Sequence, residues 1–154
     1  AKVAGTERGL TEPQATFSPC YGGPFLTLHP LVYAELLKKK IENHNVPVYL
    51  VNTGWIGGSA TSGAKRISIK FTRQMITSIL DGTIEKSKYN TDPIFNLDIP
   101  IMIEGIPSEV LNPRESWDDK SIYDSKAKEL SDLFKENFKK YGDSIEYLKE
   151  FGPK

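Results

Sequence analysis

The chain has 154 residues, with 20 Lys or Arg balanced by 20 Asp or Glu, and 38% hydrophobic content. That length suits one domain with a sizeable core, and that composition excludes gross disorder. A formal net charge of zero argues against a generic nucleic-acid or membrane-surface binder, which carries a basic excess. Cys20 is the single cysteine, so no internal disulfide is expected and a reducing, cytoplasmic compartment fits. His29 and His44 are the only histidines, and neither C-x-x-C nor H-E-x-x-H occurs. A zinc site built wholly from this chain is therefore not expected. No charged n-region followed by an apolar run opens the chain, and no apolar stretch reaches membrane-spanning length.

Residues 1–24 read as loop, punctuated by Gly5, Gly9, Pro13 and Pro19. Such an opening predicts a chain that continues from something larger. Pro30 suits the first position of a helix, and Leu31, Ala34, Leu37 and Ile41 recur at helical spacing up to Asn45. "VPVYLVN" (46–52) is apolar on both faces and predicts a buried strand. "TGWIGGSATSGA" (53–64) is a glycine-rich loop. Residues 65–70 alternate as a strand does. Thr72 is the expected cap of a helix that turns Met75, Ile76, Ile79 and Leu80 inward and stops at Gly82. Four prolines make 90–113 an extended, meandering connection. The strongest helix is predicted over 121–142, with Ala127, Leu130, Leu133, Phe134 and Phe138 on one stripe. A short helix follows, so that helices cover 121–151. The whole, 1–154, reads as one mixed α/β (α+β) domain without internal repeats.

The stretch "GAKRISIKFTR" (63–73) carries Lys65, Arg66, Lys70 and Arg73 among apolar residues. Charge runs of this kind are usually solvated, and composition alone favours that reading. The alternative is an anion site. Glycines let backbone approach a ligand, helix N-termini attract anions, and an arginine forks onto phosphate with two hydrogen bonds. No G-x-x-x-x-G-K-[ST] is present, so it is not a P-loop. "AGTERGLTEP" (4–13) has the glycines of a closing lid, although a surface turn satisfies the same composition. His29 reads as a helix cap. Cys20 has no neighbouring histidine that would activate it. Phe25 and Trp55 read as packing residues, with stacking on a ring as the alternative for Trp55. Glu7, Glu12 and Asp92 are too dispersed to form a catalytic carboxylate pair.

Six stretches together resemble the C-terminal part of the ATP-dependent phosphoenolpyruvate carboxykinases. They are "AKVAGTERGLTEPQATFSPCYGGPFLTLHP", "YLVNTGWIGG", "KRISIKFTR", "PIFNLDIP", "LNPRESW" and the closing "GPK". Their order and spacing follow the family and cover nearly all of the chain. The resemblance implies the C-terminal part of a nucleotide-binding domain from which the P-loop part is absent. It implies an enzyme that turns oxaloacetate and ATP into phosphoenolpyruvate, ADP and CO2 in gluconeogenesis, assisted by Mg and Mn. The P-loop, the metal ligands and the arginines that hold oxaloacetate lie upstream in the family, so no catalytic or metal-binding residue is expected here.

What carries over is the nucleotide side. The Arg-Ile pair and the following threonine of the family motif fall on Arg66, Ile67 and Thr72. Phe25, in "CYGGPF", matches the aromatic that packs near the base. The lid, about 4–24, carries Thr6, Glu7 and Arg8. The expected partners are ATP/ADP, oxaloacetate/phosphoenolpyruvate and the rest of the polypeptide, with a homo-oligomer as a further candidate. Neither nucleic acid nor membrane is expected as a partner. Two departures stand out. "GWIGGSATSGAKR" is longer than the "GWNGTGKR" turn of many bacterial members, and Phe71 sits where they often carry aspartate. A different class of reading is a non-catalytic nucleotide-binding or interaction fragment.

Overall fold

Pro30 opens helix α1, Pro30–His44, in the computed structural model, which describes residues 8–9, 16–19 and 22–154. His29 caps this helix, as expected: its Nδ1 accepts a hydrogen bond from the Leu31 N–H at 3.2 Å. Asn45 ends it in the left-handed region, at φ 46°. A 3₁₀ turn, Gly23–Phe25, precedes it. These elements belong to the first of two compact units, Ala1–Leu50 and Val51–Lys154.

Segment 46–52 corrects the sequence reading. It belongs to no strand, and Val46, Val48 and Leu50 are exposed at 48%, 61% and 63%. A strand apolar on both faces needs neighbours at its edges and over its faces. Among the described residues, none pairs with it.

The second unit begins with a short hairpin, β1 (Trp55–Ile56) against β2 (Lys65–Arg66). Helix α2, Ile69–Leu80, follows directly. The alternation over 65–70 is therefore a strand for two residues and a helix from Ile69. Asp81 ends α2, and Gly82 at φ 75° turns the chain into a 3₁₀ segment, Thr83–Lys86. Leu80, expected inward, is 82% exposed.

The proline-rich stretch, expected to meander, holds a second hairpin. Strands β3 (Tyr89–Thr91) and β4 (Asp98–Pro100) pair antiparallel, with Asn90 opposite Ile99. Asp92 closes its turn: Oδ1 accepts from the N–H groups of Ile94 and Phe95 at 2.9 and 2.7 Å. Pro93 lies in the turn and Pro100 ends β4 without breaking the pairing, since β4 pairs on one edge only.

Helix α3 is short, Ser108–Leu111, and α4 runs Lys120–Phe138 behind an Asp119 cap. Of the expected stripe on α4 only Ala127 is buried: Leu130, Leu133 and Phe134 are 38%, 46% and 40% exposed, and Ser131, outside the stripe, is buried instead. The last helix, expected after 142, is a 3₁₀ segment, Asp143–Phe151.

Helices and two small antiparallel hairpins make the described chain a mixed α and β structure. Its core lies in the second unit, around Ile67, Ile84, Ile103, Ile106, Ala127 and Ile145. The two buried hydroxyls there are satisfied: Ser78 donates to the Met75 carbonyl, and Ser131 to that of Lys154.

Candidate functional site

The first hairpin builds the site. Asn52 Oδ1 accepts from the Gly54 N–H at 2.8 Å, and the Gly54 carbonyl accepts from the Ile67 N–H at 2.9 Å. These bonds extend the two-residue ladder and fix Trp55 opposite Arg66. The Arg66 guanidinium carbon lies 5.3 Å from the centre of the Trp55 ring. Its Nη2 donates to the Thr53 carbonyl at 3.2 Å. The side chain is exposed, so the guanidinium is held in place and still meets solvent.

Ile67 turns inward and is 7% exposed. With its N–H committed to Gly54, any ligand contact through its backbone falls to its carbonyl. Ser68 then changes the geometry from extended to helical. At φ −65° and ψ 148° it caps α2, its Oγ accepting from the Phe71 N–H at 3.2 Å. Thr72 is thus not the cap. It sits in the first turn and donates through Oγ1 to the Ser68 carbonyl at 3.2 Å. Ser68 wins because it is the last residue with extended backbone, and its hydroxyl meets an N–H that has no helical partner. Arg66, Ile67 and Thr72 thereby share one strand-to-helix turn. The first turn of α2 holds no acidic residue, and Lys70 lies within it.

The glycine loop 57–64 is held from a distant stretch. The Gly57 N–H donates to Ser116 Oγ at 3.1 Å, and Ser116 Oγ donates to the Pro113 carbonyl at 2.6 Å. Gly57 has φ 75°, and a Cβ there would lie 2.6 Å from the Ser116 carbonyl oxygen. Only glycine fits. Arg114 forks onto Asp124, with Nε and Nη2 donating at 2.8 and 3.0 Å. That hydrogen bonding holds the Asp124 carboxyl below its ordinary range and raises the Arg114 guanidinium. Beside them burial, then the Asp92 and Asp124 charges, pushes the Tyr123 hydroxyl up. The sequence reading assigned no role to Thr53, Ser116 or Arg114. The only signal for them was the family-like "LNPRESW" and the Thr-Gly before Trp55.

The other expected site residues belong to the first unit. Phe25 is in the first unit, in a 3₁₀ turn, 88% exposed and not in a core. Arg8 is exposed in a turn beside Gly9 at φ 85°. Thr6 and Glu7 lie outside the described residues. A separate cleft of about 350 Å³ opens between the second hairpin, α3 and the start of α4, lined by Asp92, Ile99, Leu111, Arg114 and Tyr123 among others. It contains none of Arg66, Ile67 or Thr72. Among the described residues, no three His, Cys, Asp or Glu side chains gather as metal ligands.

Comparison with known proteins decides the family. A family model described as phosphoenolpyruvate carboxykinase matches residues 1–109. The chain belongs to the phosphoenolpyruvate carboxykinase family. A relative named phosphoenolpyruvate carboxykinase (ATP), from Caldanaerobacter subterraneus subsp. tengcongensis, is 54% identical over all of this chain and 29% of its own length. One of the same name from Campylobacter jejuni subsp. jejuni is 57% identical, again over the whole chain and 30% of its own length. Another, from Staphylococcus aureus, is 47% identical over 99% of the chain and 28% of its own length. The chain therefore spans about three tenths of the length of the carboxykinases it matches. Within it the hairpin, the turn and α2 lie inside the matched 1–109 region, while Ser116, Asp124 and α4 lie beyond it.

Proposed function

We propose that this chain is the C-terminal part of the nucleotide-binding domain of an ATP-dependent phosphoenolpyruvate carboxykinase, supplying adenine-nucleotide contacts and the lid. In the whole polypeptide, oxaloacetate loses CO2 by breaking its C–C bond, and the electron pair left behind forms an enolate. The enolate oxygen attacks the γ-phosphorus of ATP. The bond to the β-phosphate oxygen breaks, giving phosphoenolpyruvate and ADP. The setting is gluconeogenesis in the cytoplasm.

The observation that carries this reading is Arg66. Its guanidinium stands exposed at the end of a hairpin, two residues before a capped helix whose first turn holds Lys70 and no acidic side chain. Cations at a helix N-terminus oppose the dipole unless an anion is present. A phosphate of ATP supplies that anion, and Arg66 meets it with forked hydrogen bonds. The Ile67 carbonyl accepts from the adenine amino group. Thr72 Oγ1, which donates to Ser68, accepts from the nucleotide. Phe25 packs near the base, and Thr6, Glu7 and Arg8 ride on the lid. The ligands of Mg and Mn are assigned to the rest of the polypeptide. No step on this chain runs through the ions.

The test is an assay with oxaloacetate, ATP, Mg and Mn. The full-length polypeptide is expected to form phosphoenolpyruvate and the 154-residue chain to form none. Turnover by the shorter chain contradicts the proposal. ATP binding by a full-length protein that lacks turnover supports a non-catalytic nucleotide-binding module instead.

A further inference from the structure

We propose that Trp55 is a positioning residue for Arg66, fixing the plane and reach of the guanidinium before an anionic ligand arrives. This rests on the reading of Arg66 as a phosphate contact. No motif assignment above gives Trp55 a role in the site.

The geometry supplies two restraints that act on different motions. Antiparallel pairing sets Trp55 directly opposite Arg66, so both side chains leave the same face of the hairpin. The guanidinium carbon at 5.3 Å from the ring centre is inside the range of about 6 Å in which an indole attracts a cation. That contact holds the group over the ring. The bond from Nη2 to the Thr53 carbonyl, 3.2 Å, then limits its rotation. One of its N–H donors is engaged, and the others stay available for a forked contact. Neither partner is an anion, so the full positive charge is retained.

The platform itself is fixed. The Gly54 N–H is bonded to Asn52 and the Gly54 carbonyl to Ile67, which fixes both strands next to the pair. Trp55 is 36% exposed, so the ring is partly packed and partly available. An arginine on an exposed hairpin would otherwise lose much rotamer freedom on binding; a side chain already held loses less. The consequence is tighter nucleotide binding with little change in the chemical step.

The experiment uses the full-length polypeptide with Trp55→Leu and Trp55→Phe, each alone and combined with Arg66→Ala. ATP affinity is read by calorimetry, kcat and KM by assay, and folding by thermal melting. Trp55→Leu is expected to weaken ATP binding about two- to fivefold, the usual scale of an exposed cation–π contact. Trp55→Phe, which keeps a ring face, should recover most of that loss, and kcat should change little in either. In the Arg66→Ala background, Trp55→Leu should have no further effect on affinity. Should Trp55→Leu fail to fold, Trp55→Met fills similar apolar space without a ring and takes its place in the same cycle. An unchanged affinity in Trp55→Leu, or an equal loss with and without Arg66, overturns the proposal. If Arg66→Ala alone leaves ATP affinity unchanged, the Arg66 reading fails as well, and the two failures are told apart by that single variant.

Discussion

Asp124 accepts two hydrogen bonds from Arg114, and that fork lowers its carboxyl below the ordinary aspartate value. A carboxyl whose folded pKa is depressed adds stability above its unfolded value, about 3.9, and loses it as pH falls through the lowered folded value. Asp81 and Asp119, held by hydrogen bonds from Thr83 and Ser121, act in the same direction. Asp124→Asn in the full-length protein should therefore melt at a lower temperature than wild type at pH 7. The gap should close progressively below about pH 4. A gap that persists undiminished at pH 2 would remove the pair as its cause. Both side chains are about half exposed, at 46% and 49%, so the effect is expected to be small. At this scale the sequence revealed residue types more readily than roles. The motif singled out Arg66 and Ile67, and the structure sets them at one strand-to-helix turn. The cap was not legible: Ser68 is followed at the third helical position by Phe71, not Glu, so no capping-box signature marked it. Thr72 offered an equally suitable side chain four residues later. Thr53 and Trp55 became partners of Arg66 only through strand register, which hairpin composition alone does not reveal.

The elements show why pairing is harder to read than periodicity. Helix α1 was legible at both ends because Pro30 and Asn45 each impose a backbone geometry locally. Strands β3 and β4 were hidden among prolines, and what joins them is the Asp92 turn and the Thr91–Asp98 side-chain bond, 2.7 Å, across the ladder. The α4 stripe was read from apolar type, which found Ala127 but missed Ser131, a polar residue buried with its hydroxyl bonded to the Lys154 carbonyl at 2.9 Å. Two glycines of the loop 57–64 give a graded test. Gly63 has φ 79° with nothing within 4 Å of a Cβ, whereas at Gly57 a Cβ would meet backbone at 2.6 Å. Gly63→Ala should cost about 1 kcal/mol, the strain of a left-handed alanine, and Gly57→Ala about 2 kcal/mol or more. Urea unfolding of both variants measures the difference. Equal costs would mean that Ser116 does not restrict the loop.

For the whole molecule, the balance of exposed apolar surface matters most. Val48, Leu50, Ile69, Leu80 and Met102 are between 61% and 82% exposed, and 46–52 lacks strand partners among the described residues. Apolar exposure on this scale promotes association. The 154-residue chain alone should therefore self-associate at micromolar concentration, visible by light scattering; a stable monomer would contradict this. The expected strand at 46–52 was a correct reading of composition and an incorrect reading of structure. An extended apolar segment forms a buried strand only when other chain segments cover its edges. The mixed α and β character was legible because helix periodicity and glycine punctuation are local properties. The grouping into two units was not, since it depends on contacts between residues distant in sequence.

The central claim is that Arg66 binds the nucleotide, and ATP affinity of the full-length polypeptide tests it most directly. Calorimetry on wild type and Arg66→Ala should show ATP binding weakened at least about tenfold in the variant, the scale of a lost charged hydrogen bond. Equal affinities in two folded proteins would contradict it.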